Sequence, residues 1–320
     1  MNMIILIPVK MKKMQGLSLI ELMVATTIGL LLTSAIIGLF ASSKRAHSDS
    51  MDRGIMYENG RYAISVLSNE LRLTEFWGET RASDIVNSAG LNAIVSDCTG
   101  NAAGYDIGNS LWGLTTASAT ITTCITDAKT GTDAFVIKHV AATPTLVASL
   151  ESTRTYLMAN EFLGVLFDGA DTPPSTVPGG DVPGGQAWEY TSTLYYIREQ
   201  SGEVPALYRK KLTGNTWGAS EEIANGIENM RLLYGVDTDL DGVADKYDNA
   251  TAASWANVVA ARVYLLMRSE KASSFSPDTK TYLLGDVTVD PSPDDNYYRL
   301  VFNTSVNLRN RKLAVLAEGS

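Results

Sequence analysis

Histidine is scarce in this chain: His47 and His139 are the two among 320 residues. They lie far apart, the first in a helical pattern and the second in a strand pattern, and a lone histidine in such a setting is ordinarily structural. No Gly-x-Ser-x-Gly turn is present to raise a serine nucleophile. Together these shortages argue against an exported enzyme. Cysteine is as sparse. Neither Cys98 nor Cys124 has a cysteine or histidine at metal-ligand spacing, so a zinc knot is disfavoured. In an exported, oxidising setting the pair reads as a disulfide, the alternative being two buried thiols. Such a bridge contributes about 3 kcal/mol by loop-closure entropy. Proline is missing between Gly16 and Pro144, so nothing there breaks a helix sharply.

An excess of basic residues is also lacking. The formal net charge is -9. Removing residues 1–16 takes away Lys10, Lys12 and Lys13 and leaves 23 basic against 35 acidic residues, a net charge of -12. That balance argues against a mainly electrostatic grip on a nucleic-acid backbone, a local basic patch being the alternative. It suits a soluble, exported domain.

What is abundant is apolar length near the start. From Leu22 to Ser43, 22 consecutive residues carry no charge. At 1.5 Å per residue such a helix is roughly 33 Å long, enough to cross a bilayer core. Glu21 stands just inside this region, where a lone carboxylate costs ~2.5 kcal/mol or more in lipid. A partner for it is therefore expected, such as a free amine created by cutting after Gly16. An ordinary secretory signal is the competing reading. Its apolar core is usually ~7–15 residues, and the nearest small-residue site here, Thr33-Ser34-Ala35, would sacrifice half the apolar helix.

Gly16, Leu17, Ser18, Leu19, Ile20 and Glu21, preceded by Lys12 and Lys13, resemble the type IV prepilin signature. The resemblance implies a leader at 1–16, peptidase cleavage between Gly16 and Leu17, N-methylation of Leu17 and an assembly role for Glu21. Leaders of this family are usually short, which points to Met11 as the start. Lys44-Arg45 follows the run and Lys12-Lys13 precedes it, so charge bias leaves orientation open. The resemblance implies leader inside and bulk outside.

Beyond the run, Ile55, Tyr62, Ala63, Val66, Leu67 and Leu71 recur at helical steps. The simplest account is one helix of about 60 residues, roughly 90 Å long and ending near Trp77-Gly78. Segment 17–43 is its membrane or filament-core half, and 44–77 its amphipathic half. Gly29, Gly38, Gly54 and Gly60 weaken it, either to permit packing or to let it melt locally. The head is expected at 78–320. Residues 79–131 read as a loop-rich insertion tied by the cysteine pair, with a short strand at Ile121 to Ile125. Strands are expected at Ala134–Val140, Tyr156–Met158 and Phe162–Phe167. The Pro- and Gly-rich tract 168–187 reads as an exposed, flexible surface loop, with a binding role as the alternative. Thr191–Arg198 and Ala206–Leu212 form a hairpin pattern around Ser201-Gly202. Ile223–Tyr234 reads as a short helix running into a strand at Met230–Val236. Further strands are expected at Trp255–Met267, Tyr282–Val289 and Tyr297–Leu308.

Asp237, Asp239, Asp241, Gly242, Val243, Asp245 and Asp248 match a calcium-loop spacing, with carboxylates at positions 1, 3, 5 and 9 and glycine at 6. Ca²⁺ takes 6–8 oxygen ligands, and alternate acids in a tight loop supply them. Val243 would offer its carbonyl. Position 12, ordinarily a bidentate Glu, is the shorter Asp248. A solvated acidic turn is the alternative.

Tyr297-Tyr298-Arg299 through Leu308-Arg309-Asn310-Arg311, with Tyr234-Gly235-Val236 before the Asp loop, resembles PilW-like minor pilins. The expected fold is α+β and type IV pilin-like: a long N-terminal helix packed on an antiparallel sheet head with loop-rich insertions. The implied role is structural and non-catalytic: a minor pilin priming assembly in a tip complex. Implied partners are other minor pilins, the major pilin, the prepilin peptidase, the inner-membrane assembly platform and a tip adhesin, with no strong case for nucleic acid. The implied location is the inner membrane with the head in the periplasm, then the pilus tip. A type II secretion pseudopilin of the J-like kind, or an adhesin or DNA-uptake module, are the alternatives.

Overall fold

The computed structural model describes residues 16, 18–98, 104–121, 124–273, 278–291 and 295–318. Leu17 and nearly all of the expected leader lie outside them. The chain divides into two compact units between Met51 and Asp52, a boundary inside one helix, α1, Leu19–Leu73. In the first unit α1 is uncharged from Leu22 to Ser43, and its large apolar side chains there are exposed.

In the second unit α1 buries Met56, Gly60, Ala63, Leu67 and Leu71. This stripe differs from the one predicted. Ile55 and Tyr62 are exposed, and Val66 is only half-buried. The contact line is centred on Gly60, where the ring of Phe302 lies so close that an added Cβ would sit within 2.4 Å of it. Full burial of Leu67 and Leu71 stabilises by roughly 1.5–3 kcal/mol each. The helix stops at Leu73, earlier than the expected Trp77-Gly78. Thr74 closes a tight turn onto Leu71 O, and Glu75 takes a left-handed φ of 63° that redirects the chain. Trp77 is then buried in the head.

The strands are β1 (Ile85–Asn87), β2 (Leu111–Thr115), β3 (Asp133–Val140), β4 (Thr155–Ala159), β5 (Gly164–Asp168), β6 (Gln186–Arg198), β7 (Ala206–Thr213), β8 (Thr216–Trp217), β9 (Glu221–Asn225), β10 (Ile227–Val236), β11 (Lys246–Asp248), β12 (Val258–Arg268), β13 (Tyr282–Leu284), β14 (Val287–Val289) and β15 (Arg299–Asn307). A second helix, α2 (Arg309–Glu318), follows. Among the described residues a nine-stranded sheet runs β1-β5-β4-β6-β3-β2, with β7 on β6 and β8 and β9 on β7. A four-stranded sheet runs β11-β10-β12-β15, and β13–β14 is a separate hairpin. Every strand pair is antiparallel except β1–β5. The long β6 carries β4 along Gln186–Glu189 and β7 along Thr193–Arg198, with β3 along Tyr190–Tyr195. The fold is α+β, a long N-terminal helix with a mostly antiparallel sheet head.

One core joins the helix to both sheets: Leu67 and Leu71 share a hydrophobic cluster with Phe135, Ile137 and Tyr195 of the larger sheet and Leu232, Val263 and Val306 of the smaller. Where the sheets meet, Arg231 pairs with buried Asp133 at 2.8 Å, and the Leu232 N–H donates to the other Asp133 oxygen. These donors offset burial, which nevertheless pushes the Asp133 pKa up.

Further expectations need correction. The segment expected at 79–131 as a loop-rich insertion also supplies core: Ile121, Ile125 and Ala128 cluster with Ala134, Val136, Leu194 and Tyr196, and Ile121 and Ile125 form a single bridge, not a strand. The Cys98–Cys124 disulfide ties this segment down. The Pro/Gly tract packs too, since Val182 is fully buried against Tyr156, Met158 and Phe167. The helix expected from Ile223 is β9 and β10, turned at Gly226 with φ 80°, a conformation glycine adopts without strain. Tyr282–Val289 is the β13–β14 hairpin, folded at Gly285 with φ 65°. The exposed Phe162 sits in the turn before β5.

Candidate functional site

The N-terminal segment is built for an apolar surrounding. Ser18 precedes α1, and its N–H faces Glu21 Oε2 at 3.4 Å while its carbonyl accepts the Leu22 N–H at 3.1 Å. The Glu21 contact is one half of a Ser-x-x-Glu capping box, and the Leu22 bond is the first of the helix itself; the pattern is legible in the sequence as Ser18-Leu-Ile-Glu21 and was not anticipated from it. A carboxylate in the first turn also suits the positive end of the helix dipole. Gly16 is exposed, and Leu17, the expected methylation site, lies outside the described residues. Along the apolar run the hydroxyls of Thr26, Thr27, Thr33 and Ser42 donate back to carbonyls three or four residues earlier. Polar groups satisfied inside their own helix can enter lipid or protein without a desolvation penalty for an unpaired donor. By length and composition α1 can cross a membrane.

The acidic loop leaves β10 at Val236. Asp237 is fully buried, and its two oxygens accept the N–H groups of Leu240 (2.7 Å) and Gly242 (2.6 Å). Leu240 and Gly242 both take positive φ, 62° and 81°, which folds the loop back on itself. The Thr238 N–H and hydroxyl both donate to Asp245 Oδ2 and hold that carboxyl below its usual pKa. The Asp241 N–H works to lower the Asp239 pKa, but desolvation and the charges of Asp241, Asp245 and Asp237 raise it overall. Carboxylate oxygens of Asp237, Asp239 and Asp245 lie within 4.8 Å of one another. Asp241 stands outside that group and accepts the Val243 N–H at 2.7 Å, and the Val243 side chain is exposed. Asp248 is held elsewhere by register: it lies on β11 opposite Tyr234, with Lys246 Nζ 2.8 Å from its carboxylate.

The segment after α1 is locked to the C-terminal helix by Asn310 and Arg311, which the sequence marked only through the PilW-like resemblance. Arg311, on α2, is buried and donates to Glu75, Ser110 and the carbonyls of Trp255 and Val258. Asn310 donates to Thr74 O at 3.1 Å. His139, expected to be structural, is buried with Nδ1 at 2.9 Å from Val140 O and Nε2 at 3.5 Å from Glu70 of α1. His47 is exposed on α1.

Two family models match the chain. Type IV pilus-assembly protein W matches residues 194–310, which run from within β6 through the acidic loop and β15 to the start of α2. The prokaryotic N-terminal methylation motif matches residues 11–37. No curated protein and no solved structure matches.

Proposed function

We propose that this PilW-like type IV pilin, with its prokaryotic N-terminal methylation motif, is a minor pilin that primes pilus assembly as part of a tip complex. The observation that carries the reading is α1 itself: an uncharged run with exposed apolar side chains, self-satisfied hydroxyls and one carboxylate, Glu21, at its head. The helix is anchored in the inner membrane first and in a filament of sister subunits afterwards. Its side chains exchange lipid for protein contacts with no change of conformation. Cutting after Gly16 leaves an amine at Leu17. Glu21 of one subunit then neutralises the amine of another and sets axial register. Other minor pilins and the major pilin supply those contacts, and the prepilin peptidase and the membrane platform act before them. The role is structural rather than catalytic.

A bound Ca²⁺ belongs to the same proposal. Asp237, Asp239 and Asp245 would hold it, and their mutual approach supports the reading. Each Asp237 oxygen uses one lone pair on a backbone N–H and keeps another for a cation. The ion would order the loop once the head is exported.

Glu21→Ala tests the assembly role. The variant is expected to be made, cut and anchored as the wild type is, with pilus number sharply reduced. Wild-type pilus numbers would contradict it.

A further inference from the structure

β15 is the open edge of the smaller sheet. Its pairing with β12 runs without a bulge from Ala260↔Asn307 to Arg268↔Arg299. At the two ends the Leu308 N–H donates to Val259 O and the Ser269 N–H donates to Tyr298 O, both 2.9 Å. Even-numbered residues of β15 therefore turn their backbone groups toward β12. Antiparallel alternation then aims the N–H and C=O groups of Arg299, Val301, Asn303, Ser305 and Asn307 away from the sheet. Among the described residues no strand pairs with that side, and no backbone hydrogen bond from those five leaves it.

Such an edge is a template for another chain, and proteins that do not use it blunt it with brevity, charge, proline or a bulge. β15 lacks these protections past its first residue, Arg299, whose side chain is buried in ion pairs with Glu228, Asp278 and Asp295. It is nine residues long, and Leu300 to Leu308 contains no charged residue and no proline. The other end of the same sheet, β11, has three residues. One face of β15 is already used: Phe302 meets Tyr57 and Gly60 of α1, and Arg53 lies over Tyr298. On the other face Asn303, Ser305 and Asn307 are exposed, a row of uncharged hydrogen-bonding side chains.

We infer that β15 accepts an extended, uncharged strand from a different pilus subunit, which lengthens the sheet by β-strand addition. Backbone pairing supplies the affinity, and cross-strand contacts with Asn303, Ser305 and Asn307 supply the selection. A second copy of this chain is disfavoured by direction. Contacts advance together along α1 and β15, from Arg53–Tyr298 through Gly60–Phe302 to Thr74–Asn310, so the two elements run the same way. Pairing two copies through this edge by a two-fold axis perpendicular to the sheet is antiparallel and would oppose their α1 helices. Such a two-fold contact also closes on itself and cannot repeat along a filament. The inference rests on the pilus-subunit reading and adds the partner's shape and its place of attachment.

The test uses the full chain in its host. A photoreactive phenylalanine analogue is placed in turn at Val301, Asn303, Ser305 and Asn307, and pili are irradiated after assembly. Expected are cross-links to one segment of another pilus subunit, stepping along that segment two residues for each two along β15. Asn303→Pro removes only an outward N–H, leaves the β12 ladder paired and is expected to abolish the cross-links from the other three positions. Thr304→Pro, whose N–H is used inside the sheet, controls for misfolding and is expected to destabilise the head itself. Absence of cross-links from all four positions in pilus-incorporated chains, spacing of three to four residues, or cross-links to a second copy would overturn the inference. Unaltered cross-linking in Asn303→Pro would do the same. Failure of the chain to be cut after Gly16 would sink the pilin reading instead, independently of the edge.

Discussion

Gly60 and Gly54 lie less than two turns apart on α1 and face opposite demands. A Cβ on Gly60 would meet the Phe302 ring at 2.4 Å, whereas one on Gly54 meets nothing within 4 Å. Glycine in a helix interior costs up to ~1 kcal/mol relative to alanine, so Gly54→Ala should raise head stability by that order. Gly60→Ala should lower it by about 1–3 kcal/mol, because overpacking outweighs the propensity gain. Equilibrium unfolding of the two variants checks the sign of each. Sequence alone left both glycines with two readings, packing or local melting. Distance to a neighbour on β15, more than two hundred residues away in the chain, supports packing at Gly60. The burial of Arg311 was illegible for the same reason. Its partners come from three separate stretches of chain, and nothing local marks an arginine that will be buried. Val182 was misjudged because the surrounding glycines and prolines describe the backbone and say nothing of one apolar side chain that finds a core.

At the scale of elements, patterning carried most of the information. β3, β6, β7, β12 and β15 stand out in the sequence as apolar or alternating runs between turn residues, and all five are strands. α2 did not stand out: its ten residues begin with charged and polar groups, and its apolar stripe is short. β9 was hidden because glycine at a positive φ turns the chain between two strands, where a helix start was expected. The acidic loop was legible as a motif but not as a geometry. Spacing proposes five carboxylates, and the fold gathers three, since pairing on β11 draws Asp248 away and Asp241 turns to the Val243 N–H. If the loop holds Ca²⁺, calorimetric titration of the detergent-solubilised full chain should give heat of binding. Asp239→Ala should abolish it, and Asp248→Ala should leave it nearly unchanged. Asp237→Ala is a poor test, because that carboxylate also caps the Leu240 and Gly242 N–H groups and its loss would unfold the loop. No heat with the wild-type chain would remove calcium from the account.

For the whole molecule the N-terminal unit sets the terms. An apolar run of this length with its side chains exposed is incompatible with water, and lipid or protein must cover it. That much, and the prepilin-like residues ahead of it, was legible from the sequence, because both are local and both are dense in information. The head's two sheets and their shared core with α1 were not, because strand order depends on pairings between distant segments. The account turns on where the mature protein begins. Mass spectrometry of the chain purified from host membranes and from sheared pili should find the N-terminus at Leu17, methylated, with the apolar helix retained. A chain that begins at Met1 or Met11, or that has been cut beyond Ala35 and has lost the helix, would contradict it.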